Sequence, residues 1–430
     1  MPVKKSGILD FVIDIRFFNQ LIMLAYSFFF IFTFASGYSR ATVLYLLGVL
    51  WFFSALLIDV SWLSRIKLLL AALAMYLLLL LFNDLLIGTP TEIKVFLKNY
   101  IYFFFFLFMG LFYTFNFEKF RFNLTWKIML LLLFISYVAT FLGLLKYPSA
   151  SRDLASSGIH EMNSYYQKIG IGGFSFIYHS FYLMIALIFL INKRMKWYVK
   201  AFLVFFIFFI YITIFKSNYT TALLLASLSL VLAVLFVSGK NTSIKLLLLV
   251  LAGILLLIFS VPILQFIVNF IITDESNTIR IRLVELLEFL TGEVSFNRVE
   301  LLKLSIEAFL KNPLLGEFGK IKTVGGHSDF FDTFGSFGLV GTVLYNTVLF
   351  SAIYYQYKSL KTPKYRRCML IIHFILFLSR FTNTLLYSHS IACVVFLLCP
   401  ILLYSFDKAA QAECSENKTA RNLNENSMVV

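Results

Sequence analysis

Residues 297–341 read NRVELLKLSIEAFLKNPLLGEFGKIKTVGGHSDFFDTFGSFGLVG. They close the one long polar passage of the chain, residues 273–333, and open the apolar run that follows it. Arginine, histidine, aspartate and seven glycines stand here, while the rest of the sequence is a succession of apolar runs. Polar chemistry confined to one passage separates a candidate site from its scaffold. The fold depends on how the flanking runs are read.

A helix that crosses a bilayer needs roughly 20 apolar residues. Nine such runs precede the polar passage, near 17–36, 42–60, 66–87, 93–113, 126–145, 171–191, 197–215, 219–237 and 244–272. Three follow, near 334–357, 368–386 and 389–406. Of the 430 residues, 60% are hydrophobic and 14% charged, against about 45–50% and about 25% in a soluble domain. The mean hydropathy is +0.87. These figures exclude a soluble globular domain. They predict an all-α polytopic transmembrane helical bundle of about twelve helices, with one large extracytoplasmic loop containing short amphipathic helices. Residues 1–16 read as a cytoplasmic lead-in, 17–272 as helices one to nine, 273–333 as the loop carrying the site, and 334–406 as helices ten to twelve. Residues 407–430 read as a disordered cytoplasmic tail. The N-terminus shows no cleavage site and reads as the entry to a retained first helix. Four cysteines with no CxxC pattern indicate neither a disulfide framework nor a metal site.

The net charge is +15, but the basic residues sit in short loops between apolar runs rather than on one face, which excludes nucleic acid as a partner. With the N-terminus inside and twelve crossings, the inner segments hold 22 Lys and Arg and the short outer segments 8. The positive-inside rule then places both termini in the cytoplasm and residues 273–333 outside it. A shorter outer loop, Lys146 to Gly170, carries Arg152, Asp153, His160, Glu161 and Lys168. The two outer loops are expected to meet in one cleft.

Within the long loop, residues 279–290 interleave Ile279, Leu283, Leu286, Leu287 and Leu290 with Arg280, Arg282, Glu285 and Glu288, the pattern of a short surface helix. Asn297 with Glu300 three residues on predicts a capped helix start. Arg298 falls in its first turn, and Asn312-Pro313 ends it. Ser328 predicts the N-cap of the next membrane helix, with His327 at its outer end. Taken singly, the arginines also suit headgroup pairing, and His327 suits a helix end without chemistry. His327, Asp329 and Asp332 are too few and too close in sequence for a metal site, so neither metal nor cofactor is expected. His179 is expected to hydrogen-bond between helices, and Arg380, Asn383 and His389 share the ambiguity of polar groups at the outer end of a hairpin. In combination the loop says more. Guanidinium groups bind phosphate oxygens bidentately and stay charged. An imidazole at a helix N-terminus is kept neutral by the dipole and can accept a proton. A base and a diphosphate clamp describe transfer of a glycosyl group from a lipid diphosphate to a hydroxyl.

The same residues carry a family resemblance. Arg298, the Leu301–Gly316 segment ending AFLKNPLLG, Gly325-Gly326-His327-Ser328-Asp329 and the FGSFGLVG run of residues 334–341 together resemble the O-antigen and capsular polysaccharide polymerases (Wzy) and the related O-antigen ligases. The hairpin over residues 216–223, KSNYTTAL, is similar to that family's Ser-Arg-Gly type segment, with Lys216 supplying positive charge where the arginine is absent. The resemblance covers roughly residues 205–345. It implies a metal-independent inverting glycosyltransferase of the membrane GT-C type in the bacterial cytoplasmic membrane, with its site facing the periplasm or cell exterior. The donor is a glycan on undecaprenyl diphosphate, and the acceptor is another lipid-linked repeat unit for a polymerase or the lipid A core for a ligase. A chain-length regulator protein is the further partner implied. His327, Arg298 and Asp329 are the expected catalytic residues, and Arg280, Arg282, Lys216, Arg152 and Arg380 the expected binders of diphosphate or glycan. A lipid-linked sugar flippase or other transporter is the alternative of a different class. It predicts charged residues at the membrane midplane and internal repeats.

Overall fold

The computed structural model describes residues 14–38, 41–87, 90–155, 160–191, 195–245, 259–272, 297–317, 324–383 and 388–412, with scattered positions from 247 to 291. Every regular element among them is helical. First come α1 (Ile15–Ile31), α2 (Ala41–Ile58), α3 (Lys67–Ile87), α4 (Pro90–Asn116) and α5 (Asn123–Lys146). The short helices α6 (Ala150–Asp153) and α7 (His160–Lys168) lead to α8 (Phe174–Leu190). A hairpin of α9 (Trp197–Lys216) and α10 (Thr220–Val237) follows, then α11 (Ser260–Phe266). The chain ends with α12 (Asn297–Lys311), α13 (Asp329–Ser359), α14 (Pro363–Arg380) and α15 (His389–Ala412). A bilayer forces the backbone to satisfy its own hydrogen bonds, which is why such apolar runs become helices.

Seven described helices are long and apolar enough to cross a membrane: α2, residues Tyr100–Lys119 of α4 and its continuation, α5, α9, α10, α13 and α15. Four apolar helices are shorter: α1, residues Lys67–Phe82 of α3, α8 and Ser260–Ile271. In α14, Lys364, Arg366, Arg367 and Arg380 crowd the two ends of the apolar run.

At the centre lies α8, every residue of which from Phe176 to Leu190 is buried. A helix apolar on all sides belongs inside a bundle, and α8 packs against α9, α10, α14 and α15. His179 corrects an expectation. Both its ring nitrogens are buried without a hydrogen-bond partner, and the imidazole lies edge-on to Phe176 and Tyr137 at 4.8 and 6.3 Å between centroids. Aromatic rings surround it where a second helix would have to offer a polar group. By contrast α2, α5, α9 and α10 are only 28–33% buried over their apolar windows, and Leu57, Leu131, Phe208 and Leu224 face outward. Apolar surface on that scale needs lipid or a partner to cover it.

Polar contacts gather one set of helix ends. Lys119 pairs with Asp59 at 3.2 Å, and Lys408 pairs with Glu118. Asp407 accepts the backbone N–H groups of Lys361 and Thr362 at 2.9 and 2.8 Å. Arg367 Nε donates to the Phe236 carbonyl at 3.1 Å. The last helix runs on to Ala412, beyond the expected start of the tail at residue 407. Residues 413–430 lie outside the described residues.

The site depends on a bend in α13. Gly338 has φ 60° and ψ −157°, a conformation essentially confined to glycine, and it splits the helix in two. On a straight helix, residues sixteen apart stand about 24 Å apart. Here Tyr345 donates its hydroxyl to Asp329 at 3.4 Å, so the two halves fold toward each other. The break orphans the first amides of the second half. The Asn312–Gly316 turn supplies their acceptors: Leu339 N–H donates to the Pro313 carbonyl at 2.8 Å and Val340 N–H to that of Leu314 at 3.2 Å. Glu317 N–H returns a bond to the Gly335 carbonyl at 2.7 Å. Two sequence motifs, NPLLG and FGSFGLVG, are thus halves of one joint. A Cβ at Gly338 would stand 2.4 Å from the Leu314 carbonyl carbon, and one at Gly316 2.4 Å from the Gly335 oxygen. Gly338→Ala is expected to destabilise the protein by about 1–3 kcal/mol from backbone conformation alone, before any overlap is counted. The check is thermal unfolding in detergent, and an unchanged midpoint would remove the joint from the account of stability.

Candidate functional site

Of the polar passage, α12 and residues 324–328 are bonded to the head of α13. In α12 the fully buried Ser305 donates its hydroxyl to Asp332 Oδ1 at 2.7 Å and accepts the Gly325 N–H at 3.1 Å. Gly325 permits this approach, since a Cβ there would lie 2.1 Å from the Leu301 carbonyl oxygen. Asp332 uses its other oxygen to accept the Ser328 N–H at 2.7 Å. Ser328 is the N-cap that the sequence predicts: its Oγ accepts the Phe331 N–H at 3.3 Å and donates to the Arg380 carbonyl at 3.1 Å. The Asp329 N–H donates to the Asn383 carbonyl at 3.0 Å. The start of α13 is therefore held by α12 on one side and by the end of α14 on the other. His327, one residue outside the cap, is exposed.

Beneath the cap is a buried charge cluster. Arg380 Nε donates to Asp329 Oδ2 at 2.6 Å, and both side chains are almost wholly buried, at 3% and 2% exposure. Arg380 Nη1 donates to Asn346 Oδ1 at 2.7 Å, and its guanidinium lies 5.2 Å from the centre of the Tyr345 ring. Nη2 has no hydrogen-bond partner. Tyr345 stacks on Tyr76 at 5.3 Å, and the Tyr76 hydroxyl is 3.0 Å from that of Tyr100. One arginine from α14 thus ties the two halves of α13 together, with α3 and α4 closing the far side. An isolated charge at this depth is costly, and pairing is what makes it tolerable.

Asp329 was expected beside His327, supporting the imidazole. Its oxygens instead face Arg380 and Tyr345, and the carboxylate within electrostatic reach of His327 is Asp332. Asp329 and Asp332 point to different partners, so these three residues do not converge on one point. Arg298 opens α12, but its side chain is outside the described residues, as are Arg282 and the capping side chain of Asn297. Arg280 is half-buried.

Arg152 and Lys216 belong to a second corner. Asn218, at φ 58°, donates to the Pro148 carbonyl at 3.4 Å, and the Tyr219 hydroxyl donates to that of Ser151 at 2.8 Å. These bonds bring the 146–154 connection, with half-buried Arg152, to the α9–α10 turn, where Lys216 is exposed. Burial raises the pKa of the Tyr219 phenol, so it stays a neutral donor. The 146–173 connection also lines a cavity with the end of α1 and the start of α15, and none of residues 297–338 is among that cavity's described lining.

Sequence reasoning overlooked Ser305, Tyr345, Asn346 and Tyr76. An Asn beside a Tyr within an apolar run was the one signal available for the pair 345–346. No protein-family model matches the chain, and no curated protein matches it.

Proposed function

We propose that this protein is a polysaccharide polymerase that joins lipid-diphosphate-linked oligosaccharide units at the outer face of the bacterial cytoplasmic membrane. On this reading about twelve segments cross the bilayer, both termini are cytoplasmic, and the α12–α13 region faces outward. The gathering of residues 59, 119, 236, 361 and 407 at one end supports that arrangement, because the charge count assigns the same segments to the inside.

The observation that carries the reading is the exposed His327 next to the Ser328 cap, which bonds to the backbone of the buried, incompletely paired Arg380 at one end of the bundle. In the reaction proposed, His327 takes the proton of the acceptor hydroxyl, and the oxygen attacks the anomeric carbon of the donor with inversion. The bond from that carbon to the diphosphate oxygen breaks, and the lipid diphosphate leaves with the electron pair. Arg298, helped by Arg280 or Arg282, stabilises the charge that develops on the leaving group, which is often the largest single catalytic contribution. Asp329 acts through Arg380 as a positioning residue.

Purified protein given lipid-linked repeat units should produce a ladder of longer glycans. Arg298→Lys keeps the charge but loses the planar fork, so the ladder should shorten at equal protein level. The buried Asp329–Arg380 pair favours one second reading, a lipid-linked sugar transporter, since intramembrane charges often mark transport paths. Movement of lipid-linked sugar across liposomes without longer glycan would establish that reading and end the polymerase proposal. A deletion strain separates polymerase from ligase: single repeat units persist on the surface in the first case and are absent from the core in the second.

A further inference from the structure

The cavity outside the His327 region has a volume of about 330 Å³. This falls within the range of small-molecule sites, about 300–1,000 Å³. Its walls are Phe29, Phe30 and Thr33 from the end of α1 and its continuation, Gln167 from α7, the Gly172–Phe176 entry to α8, and His389 and Ser390 at the start of α15. Three features point to a ligand. The Ser390 hydroxyl is buried, has no hydrogen-bond partner, and belongs to a residue 5% exposed. The N-terminus of α8 has only Gly173 as its cap and no side-chain cap, so its first amides have no partner within the helix. Directly after Ser390 and Ala392, α15 becomes π-helical over Cys393–Leu398, a distortion often found at functional sites.

The chemistry of the wall selects the class of ligand. No Lys, Arg, Asp or Glu is among its described residues, which disfavours a diphosphate. The buried Ser390 hydroxyl would face an acyl chain unsatisfied, at a cost. Aromatic faces interspersed with neutral hydrogen-bonding groups suit a sugar ring, which has apolar C–H faces and a rim of hydroxyls. In sequence, Asn383, whose carbonyl accepts the Asp329 N–H, lies seven residues before Ser390.

We propose that this cavity binds a neutral sugar ring of the glycan, as a subsite separate from the diphosphate clamp. The assignment rests on the polymerase reading for the identity of that glycan. The probe is the repeat-unit oligosaccharide of the producing cells, released from its lipid by mild acid and titrated onto the full-length protein in detergent by ligand-observed NMR. Saturable binding is expected for the wild type. Ser390→Ala should weaken it about three- to tenfold, the worth of one neutral hydrogen bond. Ser175→Leu, which fills the space, should remove it, with the unfolding midpoint reported alongside. Inorganic diphosphate should not compete. Absence of saturable binding, equal affinity in both variants, or competition by diphosphate would each overturn the proposal. The parent reading fails separately: if the oligosaccharide binds as described but no longer glycan is made from lipid-linked units, the subsite stands and the polymerase does not.

Discussion

Arg380→Ala is expected to destabilise the protein by about 3–5 kcal/mol, because it leaves Asp329 buried without its counter-charge. The loss should show as a lower midpoint in denaturant or heat for the purified protein in detergent. Asp329→Ala leaves the guanidinium exposed to the same penalty and should be comparably damaging. The double variant Asp329→Asn/Arg380→Gln removes both charges, keeps hydrogen-bonding groups near Asn346 and Tyr345, and should recover much of the stability. That recovery separates a true pair from two independent contacts, since neighbours in one network are non-additive. If the two single losses simply summed in the double variant, the pair would carry no coupling. On the polymerase reading, glycan elongation should follow stability in this series, because the pair holds the two halves of α13 and, through Ser328, the segment carrying His327.

His327→Ala should behave in the opposite way. The residue is exposed and lies outside the helix cap, so the unfolding midpoint should be unchanged. Elongation should fall on the order of 10²–10⁴-fold if the imidazole is the general base. Asp332→Asn provides the companion measurement. It weakens the bonds to Ser305 and Ser328 that fix the head of α13 beside His327, so both rate and stability should drop. Near wild-type chain growth in the His327→Ala protein, at matched amount in the membrane, would remove His327 from the mechanism and leave the arginines to be judged by their own variants.

On the polymerase reading, the two sets of variants divide the site into a part that holds and a part that reacts. The Ser305–Asp332–Ser328 chain fixes the head of α13 to α12, and the Asp329–Arg380 bond fixes it to α14. A residue placed on top of such a support can be exchanged without unfolding the protein, whereas the support itself cannot. That is why His327 and Arg380, close to the same cap, are expected to fail in different assays.

The sequence by itself determines the helical class, because apolar runs of membrane length have no other way to satisfy their backbone. It determines the N-cap at Ser328, because capping is a local hydrogen bond within a few residues. It also locates the polar passage. Tertiary structure alone decides who faces whom. Asp329 and His327 are two residues apart in sequence, but side chains so spaced at a helix start point in different directions, and Asp329 finds Arg380 fifty-one residues away. The bend at Gly338 was equally hidden: glycine accepts either sign of φ, and it is the carbonyls of Pro313 and Leu314, delivered by the turn after α12, that accept the amides freed by the break.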